Sequence, residues 1–232
     1  MTLLTKEYLS QLRKEAAADS RQRLARNAIT NVGAAKAALD RDRITALYPT
    51  TETKLDSLDV TDQKRSGRCW MFAALNVFRH RAAQELNVDN FEFSFTYLQY
   101  FDKLERANLV LNQLLDKKDA GWDERTVAAV LDHAGADGGW WSFFSNLVAK
   151  YGVVPAEVMP EVRSSGHTAE MNRDLATVVR RAAALDGPRE DILAQARKDF
   201  HRILAIHLGT PPEDFTWAYR TKDEQFVRLH ST

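Results

Sequence analysis

The sequence predicts a mainly α fold, and two patterns support that class. Apolar residues recur at intervals of three and four, the period of an amphipathic helix, in most segments of the chain. Strand-like runs occur at residues 91–94 and at residues 215–219 and 225–229, where the last two flank a polar turn and form a candidate hairpin. With 232 residues, 44% of them hydrophobic and 28% charged, the chain has the composition of a globular protein with a substantial core.

The charge balance and the cysteine count exclude several classes of protein. The 32 basic and 32 acidic residues cancel to a formal net charge of zero, so nothing indicates binding to nucleic acid or to an anionic membrane surface. One cysteine excludes an internal disulfide and a cysteine-based zinc site. No histidine pair at i, i+4 with a nearby carboxylate suggests another metal. We therefore expect neither a metal nor a cofactor.

The N-terminal residues and the hydropathy favour a cytoplasmic protein. Lys6 and Glu7 interrupt the start of the chain, which lacks the continuous apolar segment of a signal peptide. No run approaches the roughly 20 apolar residues that a membrane span requires. We expect no membrane partner.

Helical spacing and boundary residues place the other elements. Thr5 is a candidate N-cap for a helix over residues 5–17, and Pro49 ends an alanine-rich helix over residues 34–48. Residues 49–61 are expected to form an extended loop. Further helices are expected at residues 20–28, 69–86, 97–115, 122–133 and 140–151, and as a pair within 168–208 that is separated at Gly187 and Pro188.

The stretch from Asp62 to Ala74 carries the chemistry. It holds the only cysteine, Cys69, where a loop containing glycine gives way to a strongly helical run. The first turn of a helix has N–H groups without partners and a dipole that favours negative charge, and both stabilise thiolate over thiol. Gln63 can fold back and offer its amide N–H, which with the backbone N–H of Cys69 would form a two-donor oxyanion hole. The alternative is that a lone cysteine in an amphipathic helix is a small buried hydrophobe.

The helix after Cys69 is expected to hold the thiol rigidly. Its apolar residues recur at helical spacing and form the stripe of a buried central helix. These residues are Phe72, Leu75, Phe78 and Ala82.

Gln63, five intervening residues and then Cys69-Trp70 resemble the nucleophile segment of papain-like cysteine peptidases. The finer pattern Gln-Lys-x-Ser-Gly-Arg-Cys-Trp-x-Phe-Ala resembles the aminopeptidase C and bleomycin hydrolase branch. Secreted papain-like enzymes usually carry a disulfide cysteine three residues before the nucleophile, and Ser66 stands there instead, which suits a reducing compartment. The resemblance implies a cysteine-type aminopeptidase that acts on peptides, with Cys69 as the nucleophile and Gln63 as the oxyanion donor.

A second segment, Asp137-Gly138-Gly139, resembles one wall of the substrate cleft in papain-like enzymes. In those enzymes the backbone of the second glycine hydrogen-bonds an extended peptide, and the close approach is possible because no Cβ blocks it. Without the Cys69 motif, two glycines before a helix indicate only a turn. Trp140 and Trp141 either line a pocket or, as is commoner for large aromatics beside a turn, belong to the core.

The resemblance implies the helical left-hand domain of a papain-like α+β fold, in four parts. Residues 1–48 would form an N-terminal helical arm, 49–165 the Cys-bearing helical domain, 166–209 a helical insertion, and 210–232 the start of a β-rich segment. In the family the arm makes oligomer contacts, often in ring-like hexamers, so a homo-oligomer is one expectation. Packing of the arm onto the main domain is an equal alternative.

The catalytic partner of Cys69 is unassigned in this sequence. In the family a histidine and an asparagine come from a β-rich C-terminal half, and 232 residues are roughly half of the family's extent. His80 follows Cys69 by 11 residues on the same helix, which places it about 16 Å away at 1.5 Å per residue. His133, before the cleft-like glycines, is the least remote candidate.

Two hypotheses follow from the unassigned histidine. In the first, the chain is a cysteine aminopeptidase that needs its missing half from a longer parent chain or from a second polypeptide. In the second, it is a non-catalytic helical interaction module or a truncated remnant. Either way, an exposed apolar patch is expected on the Cys69 helix and near residues 138–141, with a tendency to associate.

Overall fold

The computed structural model describes residues 4–47, 58–120 and 124–231. These residues divide into two compact units, Met1–Asp56 and Ser57–Thr232, which are described separately. The mainly α class is confirmed, because the described residues contain eleven helices and a single two-stranded sheet. No helix in the described part of the chain is long and apolar enough to cross a membrane.

The first unit consists of four helices: α1 (Lys6–Ala18), α2 (Ser20–Val32), α3 (Ala34–Ala37) and α4 (Arg41–Ala46). Thr5 caps α1 as predicted, since its side chain accepts a hydrogen bond from the N–H of Tyr8. The single helix predicted over residues 34–48 is wrong. Asp40 interrupts it, because its carboxylate accepts the N–H groups of Asp42 and Arg43 and starts a new helix there. No residue of α1 to α4 is buried, and the predicted oligomer contact of this region stays a prediction.

The described residues of the second unit form seven helices and two strands. They are α5 (Cys69–Glu85), α6 (Phe95–Ala120), α7 (Glu124–Asp132), α8 (Trp141–Tyr151), α9 (Arg163–Gly166), α10 (Ala169–Ala183), α11 (Arg189–Leu208), β1 (Phe215–Arg220) and β2 (Phe226–Ser231). Most of the loop predicted at residues 49–61 and the start of the helix predicted at 122–133 lie outside the described residues. The four-part domain division stays a prediction.

The long helix α6 runs through the centre of this unit. It packs against α8, α10 and α11, and the buried side chains of all four helices belong to one hydrophobic core. The most deeply buried apolar side chains of this core include Leu98, Leu111, Leu175, Phe200 and Leu204. The helix pair predicted as an insertion is therefore integrated into the core by its own apolar faces, the expected basis of helix stability.

The predicted hairpin is confirmed. Strands β1 and β2 pair in antiparallel register from Phe215 opposite Ser231 to Arg220 opposite Phe226. Trp217 is buried against Phe91, with ring centroids 5.8 Å apart. The hairpin is thereby anchored to the extended segment at residues 91–94, where Phe93 bridges Pro155.

The apolar stripe predicted for α5 is only partly correct. Phe72 and Leu75 are buried, but Phe78 is 45% exposed, because the buried face of the helix continues through Arg79 and Ala83 instead. Phe78 stacks on two aromatic side chains of α8, Trp141 and Phe144. Phe144 is buried, whereas Trp141 is exposed, as are Val77 and Trp140, so this region carries the exposed apolar side chains that the sequence predicted.

Candidate functional site

The thiol of Cys69 lies at the first helical position of α5 and is exposed. The preceding Gly67 has φ of +59°, a backbone conformation that favours glycine and turns the loop into the helix. Arg68 is the N-cap, and its carbonyl accepts the N–H groups of Met71 and Phe72 at 2.9 and 3.0 Å. The alternative of a small buried hydrophobe is therefore wrong for this cysteine, because the rigid start of a helix presents its side chain to solvent.

A buried arginine next to the thiol fixes this loop. The Arg68 side chain is 2% exposed and forms a two-pronged ion pair with Glu161, with N–O distances of 2.8 and 2.7 Å. Its Nε donates to the Ser66 hydroxyl at 2.8 Å, and Nη1, one of the two nitrogens paired with Glu161, also donates to Gln99 at 3.2 Å. Burial alone would raise the pKa of Glu161, but hydrogen bonds from Arg68, Thr96 and Ser165, with the Arg68 charge, hold that pKa below its usual range.

Gln63 has an uncommitted side chain. Its backbone carbonyl accepts from the Ser66 hydroxyl at 2.6 Å, which closes the loop before the cysteine. The Oε1 atom of Gln63 is buried and has no hydrogen-bond partner among the described residues. A buried amide oxygen without an internal partner is rare, and it leaves this oxygen available to a donor on a bound molecule. The sequence-based role of Gln63 as an oxyanion donor stays a prediction.

The Asp137-Gly138-Gly139 segment lies against residues 67–70, the segment that contains Cys69. The indole N–H of Trp70 donates to the carbonyl of Asp137 at 2.9 Å. The carbonyl of Gly138 accepts a hydrogen bond from the Arg106 guanidinium at 2.9 Å. The N–H and carbonyl of Gly139 form no hydrogen bond within the described part of the chain, so they are free to pair with an extended peptide backbone.

The carboxylate of Asp137, in contrast, is used internally. It forms an ion pair with the buried Lys103 and accepts hydrogen bonds from Thr168 at 2.7 Å and from Asn172 at 3.0 Å. The predicted substrate contact at Asp137 stays a prediction.

We predict that the two glycines respond differently to alanine. A Cβ at Gly139 would lie 2.6 Å from the Trp70 ring, whereas a Cβ at Gly138 would meet nothing within 4 Å. Gly139→Ala is therefore expected to lower the free energy of unfolding by about 1–3 kcal/mol through overpacking and to shift the Trp70 fluorescence. Gly138→Ala is the matched control and should change both by little. Equal effects of the two substitutions in thermal unfolding would contradict this geometry.

A cavity of about 960 Å³ lies on the α6, α7 and α8 side of the glycines. Its lining includes Gly138, Gly139, Trp140 and Phe143. Trp140 and Trp141 are each 62% exposed, so the expectation that both belong to the core is wrong. The guanidinium of Arg106 lies 5.2 Å from the centre of the Phe143 ring and closes the cavity beside the glycines.

None of the six histidines is hydrogen-bonded to the Cys69 thiol in the described structure, which includes all six. Most have partners of their own. These pairs are His133 with the Ala129 carbonyl, His167 with the Arg163 carbonyl, His201 with Tyr100, His207 with Ser164 and Asp174, and His230 with Thr216. Within the same described residues, no group of three or more His, Cys, Asp or Glu side chains is arranged to hold a metal ion.

Sequence reasoning missed three charged residues that build the site: Arg68, Lys103 and Glu161. The available signal was a charge at a helix position that otherwise belongs to a buried face. Lys103 in α6 fits that pattern, since Leu98 and Ala107 around it are both fully buried. Glu161 lies in a loop, and no local pattern identifies it.

Comparisons with known proteins agree on one family. A family model described as "Peptidase C1-like family" matches residues 3–232. Aminopeptidase C of Lactococcus lactis subsp. cremoris is 33% identical over 236 residues, covering 99% of this chain and 54% of that protein. Aminopeptidase G of Lactobacillus delbrueckii subsp. lactis is 36% identical over 234 residues, covering 96% of this chain and 53% of that protein.

A solved structure shows the same fold. The crystal structure of PepW from Lactobacillus rhamnosis HN001 superposes with a TM-score of 0.87 at 35% identity, covering 100% of this chain and 54% of that one. The chain thus spans about half the length of the relatives that it matches.

Proposed function

Because the chain belongs to the Peptidase C1-like family, we propose that it is the nucleophile-bearing part of a cysteine aminopeptidase similar to aminopeptidase C and bleomycin hydrolase. One observation carries this proposal: the exposed thiol of Cys69 begins α5, and the next residue, Trp70, packs against Gly139, whose backbone N–H and carbonyl form no hydrogen bond among the described residues. The named relatives are aminopeptidases, which supports peptides as the substrate class.

The proposed reaction is acyl transfer through a thioester. The Cys69 thiolate attacks the carbonyl carbon of the N-terminal residue, and the oxyanion is held by the Gln63 amide and the Cys69 backbone N–H. The C–N bond breaks, the departing amine takes a proton, and water then hydrolyses the thioester to release the amino acid and restore the thiol. Gly139 would hold the peptide by its backbone in the manner of an added strand.

The proton must be moved by a histidine. Because no histidine is hydrogen-bonded to Cys69 in the described structure, we propose that this group comes from a further segment, in a longer parent chain or in a second polypeptide. Assembly into a homo-oligomer and a cytoplasmic location complete the proposal. The location is supported by Ser66 at the position of a disulfide cysteine in secreted relatives.

Turnover of a fluorogenic aminoacyl amide tests the proposal. We expect slow or no turnover by the 232-residue chain alone, and turnover after mixing with the part of Lactococcus lactis aminopeptidase C that this chain does not cover. Activity of the chain alone would show that one of its own histidines completes the site. If neither sample turns over and Cys69 does not react with a peptidyl chloromethyl ketone faster than with iodoacetamide, the aminopeptidase proposal is wrong.

That last outcome would favour the second hypothesis, a non-catalytic helical interaction module. One observation supports this alternative. Phe78 stacks on Trp141, and both are exposed, as are Val77 and Trp140; exposed apolar side chains of this kind are typical of protein-binding surfaces. Sedimentation analysis of the chain with and without the C-terminal part would show whether this surface is used for association.

Gln63→Ala is expected to lower kcat of the active assembly by about 10²-fold, the usual effect of removing one oxyanion donor. KM should change little, because the donor acts mainly on the transition state. Gln84→Ala, at an exposed position of α5, is the control. If the two variants have the same kcat, Gln63 is not an oxyanion donor.

A further inference from the structure

The buried lysine of α6, Lys103, makes all its polar contacts with residues 135–137, directly before the two glycines. Lys103 is 1% exposed, and its ammonium group is paired with the Asp137 carboxylate. The same group donates to the carbonyl of Ala136 at 2.8 Å and lies 3.5 Å from that of Gly135. All its acceptors thus belong to the loop between α7 and α8, although an ammonium group could have reached solvent at far lower desolvation cost.

Asp137 also links the loop to a second helix, α10. Its other carboxylate oxygen accepts from Thr168, which immediately precedes α10, and from Asn172 within α10. The loop is therefore held between α6 and α10, two helices that share the core of the unit. A carboxylate with three internal donors has a fixed position.

Asp137 also contacts residues on both sides of Cys69, namely Gly67 before it and Trp70 after it. On one side, its backbone carbonyl accepts the indole N–H of Trp70 at 2.9 Å. On the other side it lies so close to Gly67 that a Cβ there would be 2.7 Å from the Asp137 Cβ. Trp70 in turn lies against Gly139, whose Cα leaves no room for a Cβ beside the indole. The position of Asp137 therefore sets the spacing between Cys69 and Gly139.

We propose that Lys103 is a positioning residue: by holding Asp137 it fixes the distance between the Cys69 thiol and the peptide-binding backbone of Gly139. That the aligned groups are a nucleophile and a peptide site rests on the proposed function. The positioning itself rests only on the contacts above. No covalent bond joins the two loops, so the ion pair and its hydrogen bonds perform the alignment.

The competing explanation is that Lys103 only stabilises the fold. Burial lowers the pKa of Lys103, although the Asp137 charge opposes that shift. Removing the lysine would leave the Asp137 carboxylate buried without a charged partner, which by itself destabilises a protein. The test must therefore separate alignment from stability.

The test compares two reagents at the single thiol of the 232-residue chain. Iodoacetamide needs only an exposed thiolate, whereas a dipeptidyl chloromethyl ketone must also lie along the glycine segment. We expect Lys103→Met to lower the ratio of the dipeptidyl rate to the iodoacetamide rate by about tenfold or more, since small misplacements have large effects on reaction geometry. We also expect the Trp70 indole N–H resonance, assigned with Trp70→Phe, to move.

Two further variants separate the explanations. Leu204→Ala removes a fully buried side chain of α11, so it should lower stability while leaving the rate ratio and the Trp70 resonance as in the wild type. Lys103→Met combined with Asp137→Asn removes the unpaired carboxylate, so it should recover stability without recovering the rate ratio. If Lys103→Met does not fold, this double variant carries the same test.

A folded variant without Lys103 that keeps both the wild-type ratio and the wild-type Trp70 resonance would overturn the proposal. The proposal would also be overturned if the double variant recovered both its stability and the wild-type ratio of the dipeptidyl rate to the iodoacetamide rate. If the wild-type chain shows no preference for the dipeptidyl reagent and no turnover after mixing with the missing part, the proposed function fails. Whether or not there is turnover, if that preference is absent, the Trp70 resonance alone decides whether Lys103 positions the loops.

Discussion

Cys69→Ser is expected to abolish aminoacyl-amide hydrolysis by the active assembly, with a loss of at least about 10³-fold in kcat. Serine keeps the size of the side chain but removes the nucleophile that the start of a helix activates. Because the thiol is exposed and no hydrogen bond to it is found in the described residues, thermal unfolding of the variant should match that of the wild type. The measurement is turnover at saturating substrate, with unfolding followed by circular dichroism.

Binding provides the control for that loss. Cys69→Ser should still bind a peptide along Gly139, because none of the proposed backbone contacts is changed. A peptide that binds along Gly139 should therefore slow the digestion of Cys69→Ser by an added protease as much as it slows the digestion of the wild type. Residual activity near that of the wild type would show that another group is the nucleophile.

Arg68→Met is expected to lower the free energy of unfolding by about 2–3 kcal/mol. Loss of one partner of a buried ion pair typically costs about 3–5 kcal/mol, and the lower figure applies here because the Glu161 side chain keeps 36% exposure. Ser66 and Gln99 also lose a donor. Urea unfolding measures the effect. Arg81→Met, which breaks an exposed ion pair within α5, is the control and should leave the free energy of unfolding almost unchanged.

The effect of Arg68→Met should depend on pH. The folded-state pKa of Glu161 lies below its ordinary value, so the stability from its ionised form is fully present above the ordinary glutamate range. It is lost as the pH falls through the folded-state pKa. The difference between the wild type and Arg68→Met should therefore be largest near neutral pH and shrink below about pH 4. A difference that grows in acid would show that the ion pair is not its source.

Much of the fold followed from local patterns. The helix that begins at Cys69, the long α6, the α10 and α11 pair and the final hairpin each carry a period or a turn signal that acts over a few residues. Two wrong predictions, the single helix over residues 34–48 and the buried position of Phe78, lie where two local sequence patterns favoured different structures. Asp40 caps a new helix inside a run of good helix formers, and Phe78 sits beside the buried face of α5 rather than on it.

The sequence alone determined that this protein has one thiol at the start of a helix, a glutamine and a glycine pair at set distances along the chain, and a mainly helical fold. These features depend on residue identity and short-range spacing, which the sequence contains directly. Only the tertiary structure showed that Arg68 is held by Glu161 and that Lys103 holds Asp137 beside Trp70. Such pairs join residues distant in the chain. They exist because the shared core brings their helices and loops together and leaves buried charges no other partner.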